Sequence, residues 1–322
     1  MNERLNSIFR EYYSDKPFVD RFIAEPTRAV DVIIPVIHTN ELWEANLLSF
    51  YREIPIHKLL IGDGGCIDDS ISIAEKFPRV QIFDHRSYQS LGYSIRKLIE
   101  AVETDWFIYL HSDVCLPVGW FEAMQRYQGQ YDWFECRQQA TLLVEYPLDY
   151  TNMLRPLSGS QMGRRAAFDS VLTSIDDDFL YRNEDIILAE LVQRAGFRYG
   201  RVDEVFHYHQ TMHKSTPWAR KVKSVKFDLE MSREEEIRTW MTMGKGIVKY
   251  LQPQNKWLIR AVVHSFNRLT ELKQITWRDC KQWVKGTNAV WWRYVRLGII
   301  LGRMPRYLKS LLIKIYKSIR SK

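Results

Sequence analysis

The chain has 322 residues, of which 46% are hydrophobic, 13% aromatic and 26% charged; this is ample material for one large core or two smaller ones, and it excludes collagenous, low-complexity and disordered classes. The net charge of +7 is unevenly placed: no acidic residue follows Asp279, and residues 280–322 hold 11 of the 46 Lys and Arg, leaving 35 basic against 39 acidic residues before them. The excess positive charge therefore belongs to the C-terminal tail, and because the body of the chain is net negative no nucleic-acid partner is expected.

In chain order, residues 1–29 read as an N-terminal helical segment, with short helices ending before Pro26. The β-branched run Val32-Ile33-Ile34-Pro35-Val36 reads as a strand buried on both faces. A helical pattern through Leu42, Trp43, Leu47 and Leu48 follows. A second strand is expected over 58–61, stopping at Gly62-Asp63-Gly64-Gly65, where glycines permit tight backbone geometry. A helix is expected over 68–76, a strand over 80–83, a helix over 94–102 and a strand over 106–110, which runs into His111-Ser112-Asp113. Strands alternating with helices at this spacing imply a mostly parallel α/β sheet with ligand sites at the carboxyl ends of the strands. The region 130–216 is more mixed, with strands expected near 140 and 202 and a helix over 184–194 stopped by Gly196. From Pro217 to the end the pattern is helical, broken near Pro253, Gly286 and Pro305. This gives a main domain over 30–216 and a helical C-terminal region over 217–322.

The cysteines, Cys66, Cys115, Cys136 and Cys280, show no CxxC spacing, and a reduced, cytoplasmic setting is expected. The first 30 residues carry charges throughout and no apolar h-region, so no secretory leader is expected. Residues 289–301, the longest apolar-rich stretch, are interrupted by Arg293 and Arg296. The tail 289–322 interleaves Trp291, Trp292, Leu297, Leu308 and Leu311 with Arg and Lys, as in amphipathic helices that lie in an anionic membrane interface. Packing of that apolar stripe on the main domain is the other reading, and loss of membrane partitioning on deleting 289–322 would separate the two.

Several polar residues stand where chemistry is expected. Asp63, in a glycine-rich turn after a buried strand, is either a turn-forming residue or an acceptor for a base or ribose. Asp113 ends the fourth strand and is either a loop or cap acid or a carboxylate for a divalent metal on a diphosphate. Glu184 and Asp185 open a helix, where acids complement the dipole or serve as a general base. His207 and His209 lie on an expected strand and are read as facing opposite sides, one of them a neutral metal ligand. Asp176-Asp177-Asp178 and His213 read as loop residues.

Taken together, these pieces resemble the family 2 inverting glycosyltransferases of the GT-A fold over about residues 30–212. The resemblance is carried by Val32-Ile33-Ile34-Pro35-Val36, Ile61-Gly62-Asp63-Gly64-Gly65, Leu91-Gly92-Tyr93-Ser94 with Arg96, and His111-Ser112-Asp113. Further on it is carried by Gly159-Ser160-Gln161-Met162-Gly163-Arg164-Arg165 through Phe168-Asp169, by Asn183-Glu184-Asp185 with Arg194-Ala195-Gly196-Phe197, and by Val205-Phe206-His207-Tyr208-His209. It implies a Rossmann-like mixed, mostly parallel sheet flanked by helices, with a helical C-terminal extension. It implies a nucleotide-sugar site at Pro35, Val36, Asp63, Arg96, Ser112 and Asp113, and a divalent ion, Mg or Mn, at Asp113, His207 and His209. Asp185 would be the catalytic base and Glu184 its support.

The implied activity is metal-dependent, inverting hexosyl or deoxyhexosyl transfer from a UDP-, GDP- or dTDP-sugar. The implied acceptor is a hydroxyl of a glycan or lipid-linked saccharide at the cytoplasmic membrane face. Two positions depart from the family pattern: His111 stands in place of the first acid of a DxD motif, and Gly62 where an acid is common. A nucleotidyltransferase would carry a glycine-rich motif with Arg and Lys near the first strand, and residues 36–40 lack one. A degenerate domain serving as a nucleotide-binding or scaffold module is the rival that His111 raises.

Overall fold

The computed structural model describes residues 29–37, 39, 42–87, 91–142, 159–173, 184–211, 237, 240, 241, 244 and 256–283. The expectations for residues 1–28, for Asp176–Asp178, for His213 and for the 289–322 tail lie outside these. The chain divides into two units, Met1–Ile175 with Leu188–Glu230, and Asp176–Ile187 with Met231–Lys322.

In the first unit, the described strands form one eight-stranded sheet in the order β3-β2-β1-β4-β7-β6-β8-β5. These are β1 (Val30–Val36), β2 (Ile56–Asp63), β3 (Val80–Asp84), β4 (Trp106–Leu110), β5 (Val114–Cys115), β6 (Trp133–Leu142), β7 (Ser160–Arg164) and β8 (Tyr199–Thr211). Strands β3, β2, β1 and β4 are parallel neighbours. Then β7 runs antiparallel to both β4 and β6, β8 runs parallel to β6, and β5 returns antiparallel on β8. Helices α1 (Trp43–Glu53), α2 (Ser70–Ala74), α3 (Leu91–Glu100), α4 (Trp120–Gln125) and α5 (Ala166–Leu172) belong to this unit. The helix α6 (Glu184–Arg194) takes its first turn from the second unit.

Strand β1 is apolar along almost its whole length because both its faces are covered. Val32 and Ile34 join Trp43, Leu47, Phe50, Leu59, Ile61, Ile108 and Trp120 in one core cluster. Ile33 and Leu60, offset by one residue, are equally buried, as the period of two requires. The β1–β4 ladder ends at Ile33–Tyr109, while β1 continues beside β2 through Pro35–Gly62 to Val36–Asp63. Pro35, which has no N–H to give, thus lies beyond the last rung on the β4 side. The parting of β1 from β4 is the point at which a parallel sheet opens toward a ligand.

Two local outcomes differ from expectation. Helix α2 spans only Ser70–Ala74, because the Asp68 carboxylate is turned to the backbone, accepting from the N–H of Ser70 at 3.1 Å and of Thr39 at 3.2 Å. Strand β7, Ser-Gln-Met-Gly-Arg, has no β-branched residue and no periodic signal; its extended form comes from pairing with β4 on one side and β6 on the other, the tertiary override to which strand propensity yields. The glycine at position 62 has a packing cause. A Cβ there would overlap His85 Nδ1 and Ser94 Oγ, which are hydrogen-bonded to each other at 2.6 Å, so an acid cannot sit at this strand end.

In the second unit, α7 (Lys256–Glu271) and α8 (Trp277–Trp283) bury Val262, Phe266, Leu269 and Cys280. Thr276 and Asp279 cap α8 reciprocally: Asp279 Oδ2 accepts from the Thr276 N–H at 2.7 Å, and the Asp279 N–H donates to Thr276 Oγ1 at 3.3 Å, the geometry of a capping box. Among the described residues no helix is long and apolar enough to cross a membrane.

Candidate active site

The register of the parallel strands brings the ends of β1, β2 and β3 side by side, with Val36 opposite Asp63 and Asp63 opposite Asp84. Asp63 holds its own turn. Its Oδ1 accepts from the N–H of Gly65 at 2.9 Å and of Cys66 at 2.7 Å, while the Gly64 N–H donates to the Val36 carbonyl at 2.7 Å. The other oxygen, Oδ2, lies 3.6 Å from Nη2 of Arg86, whose Nε is 3.4 Å from Asp84. Burial opposes ionisation of Asp63, but the Cys66 and Gly65 N–H groups, the Cys66 thiol and Arg86 together hold its carboxyl below the ordinary value. A fixed carboxylate beside a guanidinium that is 67% exposed presents an acceptor and a donor together, the pattern that the polar edge of a base needs.

The second cluster forms where β4 ends. Helix α1 fixes the turn from beneath: buried Asn46 donates from Nδ2 to the Ser112 carbonyl at 2.8 Å, and Ser49 accepts from the Leu116 N–H at 3.2 Å. The His111 N–H donates to the Gly159 carbonyl at 2.9 Å. The chain then enters β5, whose pairing of Val114 with His209 brings β8 alongside. As a result Asp113 stands between two imidazoles, with Oδ1 3.9 Å from His111 Nδ1 and Oδ2 3.4 Å from His209 Nε2. These three side chains offer ligand atoms that all lie within 4.8 Å of one another. His111 Nε2 is 2.7 Å from the Tyr109 hydroxyl.

His207 and His209 lie on the same side of β8, with ring centroids 6.1 Å apart. A strand returns residues i and i+2 to one face, so the expected opposition of the two rings was a misapplied period. Depth separates them instead. The His209 side chain is 18% exposed, whereas His207 is fully buried, its Nδ1 2.7 Å from Ser160 Oγ and 3.3 Å from Cys136 Sγ. Its Nε2 has no hydrogen-bond partner among the described residues and abuts Gly159, where a Cβ would lie 2.8 Å away. His207 therefore sits behind the cluster of His111, Asp113 and His209.

Of the other candidate residues, Arg96 on α3 pairs with Glu100 at 3.0 Å, and Ser112 contributes its carbonyl to the turn. Glu184 is buried and Asp185 half-buried in the first turn of α6. Arg86, Tyr109, Asn46 and the ligand capacity of His111 were not anticipated. Arg86 was open to discovery by the strand-end rule that singled out Asp63, since it follows β3 as Asp63 ends β2.

The donor set fits a divalent ion: one carboxylate and two imidazoles converge, and the carboxylate is 38% exposed. Burial, opposed by the Asp113 carboxylate and aided by His209, takes the pKa of the His111 imidazole down to about 4. Burial, reinforced by His209 and His111, also holds His207 well below the ordinary value. Both rings are thus neutral in the fold, while in the unfolded chain they take protons near 6.5. Between pH 6.5 and 4 the unfolded state binds more protons, so stability is full above 6.5 and falls as the pH drops. At about 1.4 kcal/mol per tenfold change in proton affinity, and allowing for the ring's residual exposure, His111 accounts for a loss on the order of 2 kcal/mol. Urea unfolding of metal-free protein should show a midpoint falling steadily over that range, with a shallower fall in His111→Gln; a midpoint level from pH 7 to 4.5 would contradict it.

The profile of Glycosyl transferase family 2 matches residues 31–136, the stretch that runs from β1 into β6 and contains both Asp63 and Asp113. No curated protein matches the chain in sequence. Among solved structures, TarS of S. aureus aligns with TM-score 0.48 and 11% identity, over 87% of this chain and 50% of that one. The chain thus spans about half the length of that TarS structure. TarS 1–349 in complex with UDP-GlcNAc aligns with TM-score 0.49 and 12% identity, over 84% and 88% of the two chains. The mannosyltransferase PcManGT from Pyrobaculum calidifontis, in complex with GDP-Man and Mn2+, aligns with TM-score 0.47 and 12% identity, over 93% and 96%.

Proposed function

We propose that the chain, whose residues 31–136 match the profile of Glycosyl transferase family 2, transfers a sugar, with inversion, from a nucleotide-sugar donor to a hydroxyl acceptor. The observation that carries this reading is the convergence of Asp63 with Arg86, and of Asp113 with His111 and His209, at the carboxyl ends of the parallel strands of that domain. A donor has two recognisable ends, a base and a diphosphate. Asp63 and Arg86 suit the base: Oδ2 accepts from a ring N–H, and the guanidinium donates to a ring carbonyl.

At the diphosphate end, Asp113 and His209 would hold a divalent ion, with Pro35, Val36, Arg96 and Ser112 shaping the surroundings of the donor. A divalent ion bound there neutralises charge that builds on the departing diphosphate. Inversion needs a base on the acceptor hydroxyl, and Asp185 is assigned that role, with Glu184 orienting the acceptor. The acceptor is proposed to be a glycan or lipid-linked saccharide at the cytoplasmic membrane face. The basic, aromatic-bearing tail 289–322 supports a peripheral membrane location there.

Thermal unfolding in the presence of UDP, GDP, dTDP and CMP, each with and without Mn2+, tests this reading. A ligand bound by the folded state alone raises stability by mass action, about 2.7 kcal/mol at a hundredfold excess over Kd. One nucleotide should raise the Tm in a metal-dependent manner, and Asp113→Asn should lose the rise. No shift with any of the four would leave a degenerate domain acting as a scaffold.

A further inference from the structure

The first acid of the DxD pattern is replaced by His111, which on sequence grounds reads as a loss. The geometry points to an exchange of ligand instead: we propose that His111 binds the divalent ion directly through Nδ1, alongside Asp113 and His209, and that the resulting carboxylate–imidazole–imidazole set selects transition-series ions over Mg2+ and Ca2+. This builds on the proposed donor site but concerns the ion alone.

Three observations carry it. First, Nδ1 of His111 and Nε2 of His209 approach different oxygens of the one carboxylate, at 3.9 Å and 3.4 Å. Donor atoms that share an ion at the bond lengths of about 2.0–2.2 Å typical of nitrogen and oxygen ligands lie a little over 3 Å apart when adjacent, so the cluster is close to that spacing. Second, His111 is held for the task. Its backbone N–H is fixed on Gly159, and its other ring nitrogen meets the Tyr109 hydroxyl at 2.7 Å. With Nε2–H donating to Tyr109, the lone pair is on Nδ1, facing Asp113. A ligating histidine whose remote nitrogen is anchored in this way has a fixed tautomer and ring orientation. Third, His207 stands outside the group: among the described residues the only group of three with ligand atoms all within 4.8 Å of one another is His111, Asp113 and His209, and His207 Nδ1 is turned to Ser160 and Cys136, so the set has two imidazoles.

The chemistry follows from the donor types. Mg2+ and Ca2+ are hard ions that take oxygen ligands, and Mg2+ keeps much of its water. Imidazole suits softer first-row ions, whose affinities rise from Mn2+ through Co2+. Replacing one carboxylate by an imidazole removes a negative charge that Mg2+ uses and adds a nitrogen that Co2+ and Mn2+ use better.

Isothermal titration of the full chain, free of nucleotide, with Mg2+, Mn2+ and Co2+ tests the proposal. Co2+ should bind at least 30-fold more tightly than Mg2+, with Mn2+ between them. His111→Asp should shrink the Co2+/Mg2+ ratio at least tenfold, and Tyr109→Phe should weaken Co2+ several-fold while leaving Mg2+ unchanged. Pulsed electron paramagnetic resonance of the Mn2+-loaded wild type should count two directly bound imidazole nitrogens, a readout that needs no variant to fold. Equal affinity for Mg2+ and Co2+, a ratio indifferent to His111→Asp, or a single coupled imidazole would overturn it. Nucleotide binding without any bound metal would overturn the ion site and leave glycosyl transfer standing; selective metal binding without nucleotide binding would do the reverse.

Discussion

Asp185→Asn should lower the rate of sugar transfer by about a thousandfold while leaving the far-UV circular dichroism and nucleotide-dependent stabilisation unchanged. The size comes from the job assigned: a positioned general base contributes typically 10²–10⁴ in rate, and an amide cannot take the proton. The residue is half-buried in the first turn of α6, where the helix N-terminus favours the charged carboxylate; Asn keeps the shape and loses the charge at a cost of a few tenths of a kcal/mol. Because the proton is abstracted only in the transition state, kcat and kcat/KM should fall together. Glu184→Gln should act mainly on the acceptor KM. Near-wild-type turnover by Asp185→Asn would remove Asp185 from the base role.

A second large effect concerns the stability of the fold. Asp31→Ala should cost about 3 kcal/mol of stability. Asp31 is fully buried near the start of β1, and its Oδ2 accepts from the N–H of Glu103 at 2.6 Å and of Thr104 at 3.2 Å, while Oδ1 meets His57 Nδ1 at 2.9 Å. Thr104 returns the contact, its Oγ1 accepting from the Asp31 N–H at 2.9 Å and donating to the Trp106 carbonyl at 2.7 Å. The pair pins the turn before β4 to the strand that β4 joins. Truncation leaves two backbone donors without an acceptor, at roughly 1–3 kcal/mol each when buried. Asp31→Asn, which keeps one acceptor oxygen, should cost about half as much. A urea midpoint for Asp31→Ala indistinguishable from wild type would show that the turn finds other partners.

Asp31 also marks where sequence reasoning stops. An acid in an apolar run looks like an interruption of a strand, and only the turn before Trp106, more than seventy residues later, explains it. What was legible was periodic or local: the β-branched run of β1, the glycine turn at Asp63 and the polar end of β4. The same holds for His111, which as a letter in a motif departs from an acid and in space faces Asp113 across from His209. β7 was hidden because Ser160–Arg164 is extended by its neighbours. His207 and His209 were correctly put on one strand, but their different depths depend on Ser160 and Cys136, which come from two other strands. Residues whose role is set by the strand they sit on were readable; residues whose role is set by what another strand brings were not.

The placing of β5 on β8, at the far end of the sheet order, has a bearing on how the protein is made. During synthesis the chain emerges from its N-terminus, and domains tend to assemble in that direction. Asp63, Arg86, His111 and Asp113 are all translated early, whereas His209 arrives only with β8, after every other strand of the sheet has left the ribosome. The proposed seat for an ion is therefore finished last. An interrupted or half-folded chain would carry the turn at Asp63 but not the complete ligand set proposed for the ion, so nascent and truncated products would be poor sinks for cellular metal.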